Sequence, residues 1–163
     1  MRRIYFTYII LVHISIATSQ RVVGYYPQWV QGSFTPDKID YTVITHVIHS
    51  FAWPDEEGNI LHYDNMLSQS VTNTVHDNGA KILLSLGGWG QSWGFSASMS
   101  TPELREIFID NIISICETYN YDGIDIDWEQ PANTTEKNNL TTFITELRQA
   151  FDDLYPDWII SMA

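Results

Sequence analysis

The sequence predicts an α/β fold in which parallel strands are joined by helical crossovers. Two observations carry that expectation. Short strand-like runs alternate with helical ones from Arg21 to the last residue, and the helical runs hold apolar residues at 3.6-residue spacing between recognisable start and stop signals. Strand, helix, strand repeated in this way implies right-handed crossovers. Two architectures satisfy it, a doubly wound open sheet and a (β/α)8 barrel. No Gly-x-Gly-x-x-Gly turn follows the first strand, which removes the usual support for a dinucleotide-binding sheet. A barrel needs about 250 residues, so 163 residues would supply about its first half.

Taken in order, Arg21–Tyr26 reads as a strand and Val43–Ala52 as a second, with a turn at Thr35-Pro36-Asp37 between them. Asp64–His76 reads as a helix closed by Asn78-Gly79, a favourable C-terminal stop. Lys81–Leu86 is a third strand, ended by Gly87-Gly88. Thr101-Pro102-Glu103 combines a capping side chain, a first-turn proline and an early acid. The helix it starts carries Leu104, Phe108, Ile112, Ile115 and Tyr119 along one face. A fourth strand covers about Asp122–Asp127. A last helix has Leu140, Phe143, Ile144, Leu147, Phe151 and Leu154 in one stripe, and Trp158–Ala163 begins a fifth strand.

Composition narrows the functional classes. Apolar residues form 44% of the chain and charged residues 17%, a globular balance. The formal net charge is -12, which opposes nucleic-acid binding because that needs a positive face. Arg2 and Arg3 precede an apolar run, Ile4–Ala17, and Ala17-Thr18-Ser19 fits a small-residue cleavage site. The run falls short of the roughly 20 residues a membrane span needs. Residues 1–19 are therefore expected to be a signal peptide and 20–163 the mature part, secreted, extracellular and free of the membrane. Asn133-Thr134-Thr135 and Asn139-Leu140-Thr141 are glycosylation sequons that fit that context. Cys116 is the only cysteine, so intrachain disulfides and cysteine-based metal sites are excluded, and its apolar surroundings suggest a buried, inert thiol.

The informative segment is Tyr121-Asp122-Gly123-Ile124-Asp125-Ile126-Asp127-Trp128-Glu129. Side chains of a strand alternate between faces, so Asp125, Asp127 and Glu129 share one face and Ile124, Ile126 and Trp128 the other. Successive acids stand about 6.6 Å apart along the strand. Buried unpaired charge costs several kcal/mol or is neutralised by a pKa shift. Like charges in a row raise at least one pKa and share protons, and a carboxyl held protonated is what a general acid requires. Glu129 lies at the strand's C-terminal end, where barrel active sites are found. Two other readings remain: a polar face turned to water, and a hard-metal site, since alternating aspartates can bind Mg²⁺. No Gly-rich loop with Lys-Ser/Thr supports phosphate chemistry.

Asp122-x-x-Asp125-x-Asp127-x-Glu129 resembles the D-x-x-D-x-D-x-E signature of glycoside hydrolase family 18, the chitinases and their relatives. Ser85-Leu86-Gly87-Gly88-Trp89 resembles the family's third-strand segment, Val23-Gly24-Tyr25-Tyr26 with Trp29 its first strand, and Ser50-Phe51-Ala52 its second. The likeness covers essentially the whole mature chain. It implies a TIM-type barrel, incomplete, of which the chain holds about the first four to five strands and their helices.

The resemblance also implies roles. Glu129 is the general acid and base in hydrolysis of β-1,4 N-acetylglucosamine linkages, and the substrate's own acetamido group is the nucleophile, an exception to the usual pair of carboxylates. Asp127 holds the acetamido N–H, and Asp125 shares a proton with it. Ser85, and either Tyr25 or Tyr26, donate hydrogen bonds to Asp125; Asp122 is structural. Trp89 and Trp93 are candidate contacts for chitin or an N-acetylglucosamine oligosaccharide, whereas Trp128 is expected in the core. The chemistry asks for no metal and no organic cofactor. A chitinase-like lectin, an endo-β-N-acetylglucosaminidase and a chitobiase are the competing functions. Relatives place a further Tyr and a Trp of the sugar site on later strands, so residues 1–163 alone are expected to be inactive and poorly folded, or part of a longer protein.

Overall fold

The computed structural model describes residues 20–163; the expected leader, residues 1–19, lies outside the described residues. In chain order the elements are β1 (Val23–Pro27), β2 (His46–Pro54), β3 (Ile60–Leu61), α1 (Gln69–Asp77), β4 (Lys81–Gly87), α2 (Phe95–Ser98), α3 (Pro102–Tyr119), β5 (Gly123–Asp127), α4 (Thr134–Leu154) and β6 (Ile159–Met162). Two single 3₁₀ turns, Gln28–Val30 and Pro36–Lys38, carry the chain from β1 to β2.

Strands β1, β2, β4, β5 and β6 pair in parallel and in that order, with β3 a short antiparallel addition to β2. This order decides between the two architectures. A doubly wound sheet reverses its strand order at a switch point, which sends helices to both faces. Here each parallel strand is added on the same side as the last, so right-handed crossovers put every helix on one face. The other face is left as the inside of a barrel wall.

Side-chain parity follows. The helix-facing positions Val47, Ile82, Leu84, Leu86, Ile124 and Ile126 are fully buried. They meet Phe95, Phe108, Ile112, Phe143, Leu147 and Phe151 from the helices, with the Phe108 and Phe143 rings stacked at 4.9 Å. Cys116 is fully buried in this layer, and burial pushes its thiol pKa up, as an inert cysteine requires. Helix α3 begins as its sequence signals require: the Thr101 hydroxyl accepts from the Leu104 N–H, and Pro102 occupies the first turn.

Two helices differ from their sequence pattern. The buried stripe of α3 is Arg105, Phe108, Ile109, Ile112 and Cys116. It is rotated from the expected one because Arg105 turns inward, forming a two-pronged ion pair with Glu146 of α4 (Nε–Oε2 2.7 Å, Nη2–Oε1 3.0 Å) and donating to the Met99 carbonyl. Helix α1 starts at Gln69 rather than Asp64, because Asn65 adopts a left-handed conformation and Ser68 provides the cap.

One buried polar cluster stitches β2 to this layer. His49 is fully buried. Its Nδ1 lies 2.7 Å from the Tyr121 hydroxyl, and its Nε2 meets the side-chain amide of Gln31. Burial lowers its pKa from 6.5 to about 4. The unfolded chain therefore takes up this proton at a pH where the folded chain does not, so stability falls as pH drops from 6.5 towards 4. Replacing His49 with Gln, which retains hydrogen-bonding groups but does not titrate, is expected to flatten the urea-derived stability over that interval by up to about 3 kcal/mol.

Candidate active site

The acidic row lies on β5, in the middle of the parallel sheet. Register brings Ser85 of β4 and Ser161 of β6 level with Asp125. Asp125 is 2% exposed, and its carboxylate accepts three hydroxyl hydrogen bonds. Tyr25 and Ser85 donate to Oδ2 at 3.0 and 2.9 Å, and Ser161 donates to Oδ1 at 2.6 Å. The ambiguity between the two tyrosines is thereby settled: Tyr25 faces Asp125. Tyr26 is buried on the opposite, helix-facing side, where its hydroxyl donates to the Phe34 carbonyl. The sequence-based expectation that Tyr26 is an alternative partner is corrected by parity, since neighbours on a strand point apart.

Asp127 is 9% exposed. Burial, with the charges of Glu129 and Asp125 adding to it, raises its pKa above the ordinary carboxyl value. The carboxyl whose protonated form burial favours is thus Asp127. Glu129 stands exposed two residues past the strand end. Of the three acids expected on one face, Asp125 and Asp127 are enclosed, and Glu129, at the strand's C-terminal end, stands at the mouth.

The turn after β4 fixes that mouth. Gly87 has φ +113°, and a Cβ there would lie 2.1 Å from the Asp127 carbonyl oxygen. Only a glycine lets the ends of β4 and β5 come this close. Gly88 N–H then donates to the same carbonyl at 2.8 Å. Ser92, which sequence reasoning overlooked, accepts from the Glu129 N–H at 3.0 Å and donates to the Asp127 carbonyl at 3.3 Å. Trp89 is 89% exposed and Trp93 52%. Trp89 lines a cavity of about 700 Å³ with Asp127, Trp128, Glu129 and Met162. Trp93 lines a second of about 340 Å³ that also reaches Glu129 and Trp128. Trp128 stacks on Phe95 at 5.4 Å yet keeps an edge on both cavities, so it is only partly a core residue.

Asp122 belongs to a separate cluster at the opposite end of the sheet. It pairs with Lys81 Nζ at 2.6 Å and His76 Nε2 at 2.7 Å, and accepts from the Ile82 N–H. That arrangement ties β5 to α1 and β4. Among the described residues, no three His, Cys, Asp or Glu side chains come together as metal ligands, and both Asp125 oxygens are already occupied by hydroxyl donors.

A one-sided layer of helices on a parallel sheet, with carboxylates emerging at the C-terminal end of β5, defines a partial (β/α)8 barrel. The family model for glycosyl hydrolases family 18 matches residues 21–163, and the chain belongs to that family. A chitinase-like effector of Moniliophthora roreri is 33% identical over 134 residues, covering 77% of this chain and 33% of the relative. A probable endochitinase of Caenorhabditis elegans is 32% identical over 147 residues, covering 77% and 23%. Among solved structures, the group IV chitinase of Ostrinia furnacalis, determined in complex with allosamidin, superposes with a TM-score of 0.80 at 29% identity, over 88% of this chain and 43% of that one. The chain spans less than half the length of each.

The electrostatics of the row predict a stability effect. Ionised Asp127 is disfavoured in the folded state, so Asp127→Asn is expected to raise the melting temperature near neutral pH. The gain should shrink as pH falls through the raised pKa and the wild-type carboxyl takes up its proton. Thermal melts of both proteins across pH 3–8 measure it.

Proposed function

We propose that this segment is the acid-bearing part of a chitinase-like hydrolase that cleaves β-1,4 N-acetylglucosamine linkages with retention of configuration. One observation carries the reading: a buried, proton-favouring Asp127 stands between a hydroxyl-clamped Asp125 and an exposed Glu129 at a cavity. Burial raises the Asp127 pKa in the empty site. An acetamido N–H donating to Asp127, and positive charge developing beside it, favour its charged form and leave the transferable proton on Glu129.

Glu129 then passes the proton to the glycosidic oxygen as the bond from that oxygen to the anomeric carbon breaks. The acetamido carbonyl oxygen bonds to the anomeric carbon on the opposite face, giving a cyclic oxazolinium whose charge the Asp127 carboxylate balances. Ionised Glu129 next takes a proton from water, whose oxygen displaces the acetamido oxygen. Two inversions leave the configuration retained. The allosamidin complex of the Ostrinia chitinase, a relative of similar fold, supports a carbohydrate-site reading of this cavity. We further propose that the protein is exported and carries a glycan at Asn133, which is exposed at the start of α4.

A sugar-binding, non-hydrolytic function is the second reading. It is favoured by the two exposed tryptophans beside the acid. Glu129→Gln separates the two. In a polypeptide that contains this segment within a complete barrel, the substitution is expected to lower hydrolysis of a chitin oligomer at least about 10²-fold while oligomer binding persists. Equal behaviour of both forms would support the binding function. Residues 20–163 alone leave β1 and β6 as unpaired edges and are expected to show no robust turnover.

A further inference from the structure

Ser92 extends the ladder between β4 and β5 past the point where the strands end. Rungs of a parallel pair are evenly spaced and alternate in direction. The rung after Gly88 N–H to the Asp127 carbonyl would therefore run from Glu129 N–H to the Gly88 carbonyl. A hydroxyl fills that place instead. Ser92 Oγ accepts from Glu129 N–H at 3.0 Å, and the carbonyls of Gly88 (3.2 Å) and Asp127 (3.3 Å) both lie within reach of its one proton. The turn from Gly88 to Ser92 brings the hydroxyl there, with Gln91 N–H donating to the Gly88 carbonyl at 3.1 Å. Two bonds in series span more than one, so the chain leaves β4 at Glu129 yet stays tied to it.

We propose that Ser92 is a positioning residue for Glu129: its hydroxyl fixes the main chain from which that side chain projects into the mouth of the site. Glu129 is exposed, so the fold sets its carboxyl through the main chain rather than through side-chain packing. Among the described residues no other side chain hydrogen-bonds the main chain from Trp128 to Pro131. The next tie comes at Ala132, whose N–H donates to Glu136 Oε2 at 2.6 Å, while Ser96 of α2 donates to Glu136 Oε1 at 2.8 Å. Ser92 and Ser96 thus hold the loop after β5 at its two ends, and only Ser92 acts at the acid. A reacting group misplaced by about 1 Å can lose about 10²-fold in rate. The proposal deepens the hydrolase reading and rests on it for its catalytic meaning, whereas the tether itself needs no substrate.

Amide hydrogen exchange, in a polypeptide that contains this segment within a complete barrel, reads the tether without any sugar. Ser92→Ala is expected to speed exchange at the Glu129 N–H about tenfold, while the Asp122 N–H, bonded to the Ile82 carbonyl below β5, keeps its rate. Ser92→Thr, which retains the hydroxyl, is expected to restore protection. Unchanged exchange in Ser92→Ala, or an equal rise in Ser92→Thr, would overturn the proposal. Should Ser92→Ala lose its fold, Ser92→Cys keeps the side-chain size and bonds only weakly; faster exchange there supports the tether and the wild-type rate refutes it. Turnover reads the consequence. Protonation by an acid matters less when the leaving group is an acidic phenol than when it is a sugar hydroxyl. Ser92→Ala is expected to lower kcat/KM about tenfold on a chitin oligomer and less than about threefold on the nitrophenyl glycoside of the same sugar. An equal loss on both would mark general damage and count against the proposal. Exchange decides the tether even where no turnover is seen, so its failure is distinct from failure of the hydrolase reading, which Glu129→Gln tests.

Discussion

The site depends on the parallel register of three neighbouring strands. β4, β5 and β6 place Ser85, Asp125 and Ser161 in one layer across the sheet, and a single-residue slip of β5 would turn Asp125 to the helix side, away from both serines. A buried carboxylate without donors would cost several kcal/mol. Three hydroxyls meet that need, and burial, followed by the charges of Glu129 and Asp125, raises the pKa of Asp127. The surroundings of the exposed acid thus begin with a hydrogen-bonded layer four residues deeper.

Register in turn depends on how closely the strands approach at their ends. At the bottom of β5, Gly123 has φ +132°, and a Cβ there would lie 2.0 Å from the Ile159 carbonyl oxygen of β6. At the top, Gly87 performs the same service between β4 and β5. Asp122 adds an electrostatic anchor below, pairing with Lys81 and His76. The acidic strand is pinned at both ends by backbone contacts that only glycine permits and is held in between by apolar packing on its outer face. Such rigidity suits a site whose reacting groups must stay within a fraction of an ångström of their working positions.

Much of this was legible in the sequence. Alternation over Asp122–Glu129 assigned Asp125 and Asp127 to the inner face and Ile124 and Ile126 to the core, because strand parity is a local property. What failed to show depends on partners far along the chain. Ser161 and Ser92 are unremarkable residues whose roles exist only once β6 and the β4 turn are set beside β5. Arg105 departs from the apolar pattern of α3, and only the position of Glu146 on another helix explains its burial. The choice between Tyr25 and Tyr26 needed the absolute facing of β1. The short strand β3 and helix α2 are too brief to impose a period. The bulge in β2 between His49 and Ala52 likewise interrupts simple parity there.

The contrast between Asp127 and Glu129 follows from where the strand stops. β5 ends at Asp127, so the alternation that buries Asp125 and Asp127 carries Glu129 beyond the sheet, into a loop held by Ser92. A carboxyl one step deeper would be enclosed by neighbouring strands and unable to reach a large substrate. One step farther out, it would lose electrostatic contact with the row. At its actual position Glu129 adjoins both cavities and still influences Asp127 through its charge. Under the proposed hydrolase function, a group that exchanges protons with a buried neighbour and with a bound polymer belongs to both environments, and the end of a central barrel strand is where the two meet.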